Sequence, residues 1–192
     1  INAFPSKDDY IDQFGKFIDN TPDDGALVYF EEDDIIRKLI GSKKRNFRIV
    51  PYSTPDYTIR KGQYILKNGK SASVLKLFGK HNMQNLAGAM EVLKLLNLRE
   101  KDIIQALESF EGASNRLEKW YDDKRIVFYK DFAHSPSKLR STVEAVYELY
   151  PGKKIITCFE LHTYSSLTKD FLVEYKNSFP RYGINLVFIN DH

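Results

Sequence analysis

Gly79-Lys80-His81-Asn82-Met83-Gln84-Asn85 stands where a short β run, Val74 to Phe78, passes into a helical run, Asn82 to Leu96. Leu86, Met90, Leu93 and Leu96 recur at three- to four-residue spacing in that second run, which is the mark of a helix with one buried face. Lys130-Asp131-Phe132-Ala133-His134-Ser135-Pro136 has the same setting, between a β run Arg125 to Tyr129 and a helical run Ser137 to Leu149. Repeated passages from strand to helix predict an α/β fold. Ligands gather at such passages, because strand ends carry the loops and helix N-termini present free N–H groups.

The pattern extends outward in both directions. Ser6 followed by Asp9 resembles a capping box, with Asp in place of the usual Glu or Gln. Tyr10, Phe14, Phe17 and Ile18 then follow helical spacing until Thr21-Pro22-Asp23-Asp24-Gly25 breaks the helix. A strand over 26–30, a helix over 33–40 stopped by Gly41, and a strand over 47–50 continue the alternation. Residues 57–60 and 63–66 read as short strands, and Asn68-Gly69 as a hairpin turn leading to the third. A second helix, 101–110, follows the one after Asn85.

Gly112-Ala113-Ser114 is the best boundary, giving domains 1–113 and 114–192. Beyond it come a strand (125–129), a helix (137–149), a strand (154–159), a helix (168–179) and a strand (185–189). Such steps favour a small open sheet of parallel strands with right-handed crossovers.

The chain has 192 residues, 42% hydrophobic and 29% charged, as in a water-soluble globular protein of one or two domains. The net charge of +3 is weak, and Lys43-Lys44-Arg45 is the densest basic cluster, so a nucleic-acid surface is not expected. No apolar run is long enough to span a bilayer. Cys158 is the sole cysteine; it excludes an internal disulfide, fits a reducing compartment, and reads as a core thiol within a buried strand. The start, Ile1-Asn2-Ala3-Phe4-Pro5, lacks Met and has no signal-peptide character, which suggests an excised segment.

Several motifs carry chemistry. Gly69-Lys70-Ser71 is not a phosphate loop, because Tyr64 stands where the first glycine is needed and no helix follows. Asn82 and Asn85 share one face of a first helical turn, where two carboxamides could read an adenine edge; alternatively Asn82 only caps the helix and His81 is a loop residue. Asp131 at a strand end could accept from ribose hydroxyls or could be a turn residue. His134 could hold a proton or contact a ribose or phosphate, and Arg116 could bind phosphate or lie on the surface. Glu160, His162 and Ser166 follow another strand, without the G-x-S-x-G elbow that a hydrolase triad would need.

Together these motifs resemble the Mur ligase family. Gly79 to Ala89 is similar to the family's G-x-H-N-x-x-N-x-x-A-A pattern, with Gly88 at the first closing alanine. Phe110-Glu111-Gly112 with Arg116 and Glu118 resembles F-x-G-x-x-x-R-x-E, and Asp131 to Pro136 resembles D-Y-A-H-x-P. The resemblance implies part of a central ATP-binding domain followed by the first part of a Rossmann-like C-terminal domain. It assigns ATP contacts to His81, Asn82, Asn85, Arg116, Asp131 and His134, and substrate-side positions to Glu160, His162 and Ser166. No catalytic residue or metal ligand is assigned here; the phosphate loop and the ligands of Mg2+ are expected outside this stretch, so the 192 residues alone are expected to be inactive.

The implied function is cytoplasmic, ATP-dependent amide ligation of UDP-N-acetylmuramate through an acyl phosphate, with no nucleic-acid or membrane partner. Phe4-Pro5, Tyr10 to Phe14, and Phe159-Glu160 resemble the branch that recycles murein peptides, joining L-Ala-γ-D-Glu-meso-diaminopimelate. Thr163 and Ser166 replace two arginines of the L-alanine-adding branch. That branch, and a non-catalytic nucleotide-binding module, are the alternatives.

Overall fold

The computed structural model describes residues 4–42, 44–68, 71–123, 125–161, 168–180 and 183–189. They form two compact units, one of Ile1–Pro55 with Met83–Gln105, the other of Asp56–Asn82 with Ala106–His192.

In the first unit, α1 (Lys7–Asp19) begins as its capping box requires. Ser6 Oγ accepts the Asp9 N–H at 3.1 Å and donates to the Asp9 carboxylate at 2.6 Å. α2 (Asp34–Gly41) is capped by Asp33, whose Oδ1 accepts from Ile35 and Ile36 N–H at 2.9 and 3.0 Å. Strands β1 (Ala26–Phe30) and β2 (Arg48–Tyr52) pair in parallel, with Val28 opposite Val50. Ile18, Leu27, Ile40 and Phe47 bury their side chains together, each contributing about 1.5–3 kcal/mol. Helix α3 (Lys80–Leu95) supplies Gly88 against β2: a Cβ there would lie 2.9 Å from the Tyr52 ring. This close approach explains why glycine stands where the motif has alanine.

In the second unit, β3 (Tyr57–Arg60), β4 (Gln63–Asn68) and β5 (Ser71–Leu75) form an antiparallel meander. Asn68 pairs with Ser71, the register that the expected hairpin requires; the Gly69-Lys70 turn lies outside the described residues. α4 (Glu100–Ser109) begins in the first unit and ends in the second, before Gly112. Further along come α5 (Pro136–Leu149), β8 (Ile156–Leu161), α6 (Lys169–Glu174) with a 3-10 turn Tyr175–Asn177, and β9 (Ile184–Ile189). β8 and β9 pair in parallel, and Leu139, Phe159, Leu161 and Tyr175 form the core beneath them. The α/β class with parallel strands is as expected.

Three expectations need correction. A strand that the sequence pattern does not predict, β6 (Glu118–Asp122), pairs antiparallel with β7 (Val127–Lys130). Its residues are charged or aromatic and mostly exposed, with Lys130 stacked over Trp120 at 4.4 Å, so no apolar alternation marks it. Secondly, β7 is bonded to β6, and no pairing with β8 occurs among the described residues, so the open sheet of three parallel strands reduces to the β8–β9 pair. Thirdly, Cys158 is exposed. Phe159 and Leu161 take the core face of β8, and a period of two turns Cys158 away from it.

Candidate functional site

Helix α5 organises one side of an open cleft of about 200 Å3 in the second unit. The cleft is lined by His81, Asn82, Arg116, Asp131, Phe132 and, from α5, Ser137, Lys138, Ser141 and Thr142. Successive turns of α5 hold the other parts in place. Thr142 Oγ1 donates to Asp131 Oδ1 at 3.1 Å. One turn on, Ala145 touches the loop before α3, since a Cβ on Gly79 would lie 2.7 Å from its methyl group. Gly79 also has φ +90°, so both its space and its backbone demand glycine. Another turn on, Glu148 accepts a 2.6 Å hydrogen bond from the hydroxyl of Tyr64, which is 1% exposed.

Arg116 is presented by a strained loop. Asn115 and Leu117, on either side of it, have φ of 57° and 47°, a region that residues with a Cβ seldom occupy. Carboxylates hold this geometry. Glu118 Oε2 accepts the Asn115 N–H at 3.0 Å, and Asp131 Oδ2 accepts the Leu117 N–H at 2.8 Å. The first of these bonds also holds the Glu118 carboxyl below its ordinary pKa. The Phe132 N–H closes the loop on the Asn115 carbonyl at 2.8 Å. Arg116 itself is exposed and makes no ion pair among the described residues.

His81 and Asn82 line the cleft from the start of α3. Asn82 lies inside the first turn and donates through Nδ2 to the Phe78 carbonyl at 2.8 Å, which sets aside the capping alternative, since a cap must accept. Burial pushes the His81 imidazole below its ordinary pKa; Asp131 opposes this and Arg116 reinforces it. His81 is therefore neutral at neutral pH and offers the cleft one donor and one acceptor.

Of the residues singled out from sequence, His81, Asn82, Arg116 and Asp131 come together here. Asn85 is exposed on α3 and is not among the lining residues. His134 is near but does not line the cleft: its Nδ1 lies 2.9 Å from the Phe132 carbonyl and its Nε2 3.3 Å from Lys138 Nζ. Glu160 is exposed on β8, and His162 and Ser166 lie outside the described residues. Lys138, Ser141 and Thr142 were missed. Their signal was the spacing Ser137-Lys138 to Ser141-Thr142, one polar helical turn directly after the Asp131 motif.

No model of a known protein family matches the chain. The UDP-N-acetylmuramate–L-alanine ligase of Clostridium botulinum is 31% identical over 194 residues, an alignment covering 93% of this chain and 42% of that protein. The chain is related to the Mur ligases. Solved Mur ligases share its fold. The UDP-N-acetylmuramate-alanine ligase MurC of Thermotoga maritima matches with a TM-score of 0.65 at 22% identity, over 97% of this chain and 47% of its own. The MurF ligase of Thermotoga maritima, solved in complex with ADP, matches with a TM-score of 0.66 at 17% identity, over 86% and 40%. The chain thus spans less than half the length of these Mur ligases.

Proposed function

We propose that the cleft binds ATP within an ATP-dependent ligase that extends UDP-N-acetylmuramate in peptidoglycan precursor synthesis. The observation that carries this reading is Arg116, a guanidinium without an ion pair among the described residues, held over the cleft on a strained loop that Asp131 itself pins. Strain of this kind persists where its geometry is used. In this reading Arg116 takes the phosphates, and Asp131 takes ribose hydroxyls through the lone pairs that Leu117 and Thr142 leave over. Asn82 turns its Oδ1 to the adenine amino group, with His81 beside it. ATP supplies the phosphoryl group that activates the muramate carboxylate for attack by an amine.

Among the described residues no cluster of His, Cys, Asp or Glu is arranged to hold a metal; Mg2+ would be held by residues elsewhere in the protein. Residues 1–113 would belong to a central ATP-binding domain and 114–192 to a C-terminal domain, with Glu160, His162 and Ser166 on the substrate side.

For the amine, two readings rest on separate observations. L-alanine is favoured by the Clostridium botulinum relative, whose likeness runs along 93% of this chain. The murein tripeptide L-Ala-γ-D-Glu-meso-diaminopimelate is favoured by Phe159-Glu160 and by the replaced arginines at Thr163 and Ser166. The first rests on the greater length, and L-alanine leads. The test is ADP release by the full-length protein with UDP-N-acetylmuramate and either amine. Release only with the tripeptide reverses the order, and release with neither removes the ligase reading. Asp131→Ala and Asn82→Ala should each raise the KM for ATP, by the roughly 1–3 kcal/mol of one or two lost hydrogen bonds. Unchanged ATP kinetics in both variants would take these residues out of the nucleotide site.

A further inference from the structure

We propose that Lys138 is a second phosphate-binding cation of this cleft, and that His134 is a positioning residue for it. The proposal rests on the nucleotide reading above. Lys138 lines the cleft, whereas His134 does not. The two are joined by a 3.3 Å contact between Lys138 Nζ and His134 Nε2. Hydrogen-bonding chemistry fixes its direction. The Phe132 carbonyl, 2.9 Å from Nδ1, can only accept, so Nδ1 carries the ring proton. Nε2 is then left with a lone pair, and the ammonium can only donate to it. His134 Nε2 is thus an acceptor one helical turn before Lys138.

His134 is itself held. The hydroxyl of Tyr175, a residue only 6% exposed, donates to its carbonyl at 3.2 Å, and its ring packs 5.0 Å from the Phe132 ring. Lys138 makes no ion pair among the described residues, and neither does Arg116. The nearby carboxylate of Asp131 is engaged by the Leu117 N–H and the Thr142 hydroxyl. Two cations of different geometry therefore face one small cleft: a planar fork at Arg116 and a compact point charge at Lys138. That combination suits a chain of phosphates better than a single carboxylate.

The test is calorimetric titration of ADP, adenosine and inorganic pyrophosphate into the protein and its Lys138→Gln, Lys138→Arg and His134→Phe variants. Lys138→Gln should weaken ADP and pyrophosphate by about three- to tenfold and leave adenosine unchanged, and Lys138→Arg should recover most of the loss. His134→Phe should weaken ADP and pyrophosphate, leave adenosine unchanged, and add nothing in the Lys138→Gln background. Equal losses for ADP and adenosine, or an unchanged ADP affinity in Lys138→Gln, would overturn the proposal. Additive effects of the two substitutions would overturn the positioning role of His134. Pyrophosphate binding that depends on Lys138, without any adenosine binding, would uphold the cation and remove the nucleotide reading. A protein that binds none of the three removes both.

Discussion

His81 is a half-buried imidazole under the influence of two carboxylates, Asp131 and Glu148, and one guanidinium, Arg116, and burial outweighs them. Its pKa in the folded protein lies below the ordinary 6.5. A depressed basic group binds fewer protons folded than unfolded, so it adds stability that is complete above the unfolded value and is lost as pH falls through the folded one. The melting temperature should therefore fall as the protein is acidified below about 6.5, and His81→Asn should flatten that part of the profile. An identical slope in the variant would assign the acid sensitivity elsewhere. Asp131 shows the limit of reading single residues. Its strand-end position was visible in the sequence, but its second task, pinning the Leu117 backbone and the Thr142 hydroxyl, joins positions 14 and 11 residues away.

Helix α5 was legible as an element, and its boundaries barely moved. Its function as a ruler was not, because it depends on which partners lie against its successive turns. Thr142, Ala145 and Glu148 meet Asp131, Gly79 and Tyr64 in turn. The last contact is the most specific, a 2.6 Å bond from a buried phenol whose own pKa is raised by that burial and by the carboxylate. Tyr64→Phe should cost about 1–2 kcal/mol in urea unfolding, while Glu148→Gln, which keeps an accepting oxygen, should cost markedly less. Equal losses would make the contact one of packing alone. β6 was hidden for the opposite reason. It is held by hydrogen bonds to β7 and by the Trp120–Lys130 contact, with little burial to impose a period.

At the scale of the molecule, all six residues of β9 are exposed, with Leu186 at 54% and Phe188 at 63%. Among the described residues β9 is bonded to β8 alone, so an apolar strand presents a free edge there. Sedimentation should show concentration-dependent self-association of the 192-residue chain, and Phe188→Lys should reduce it. A wild-type chain that stays monomeric at high concentration would contradict this.

Gly79 to Asn85 and Lys130 to Pro136 can be recognised from sequence because strand-to-helix passages are local. Hydrophobic period, caps and turn residues act over a few positions, and they were enough for the α/β class; the four residues of the cleft were singled out by the resemblance of their motifs to those of the Mur ligases. Tertiary structure alone decided which strand pairs with β7, that Cys158 faces outward, and that Lys138 rather than His134 reaches the cleft. Each of these depends on contacts between segments distant in the chain, or on the direction a side chain takes once its neighbours are packed. A one-dimensional pattern does not contain that information.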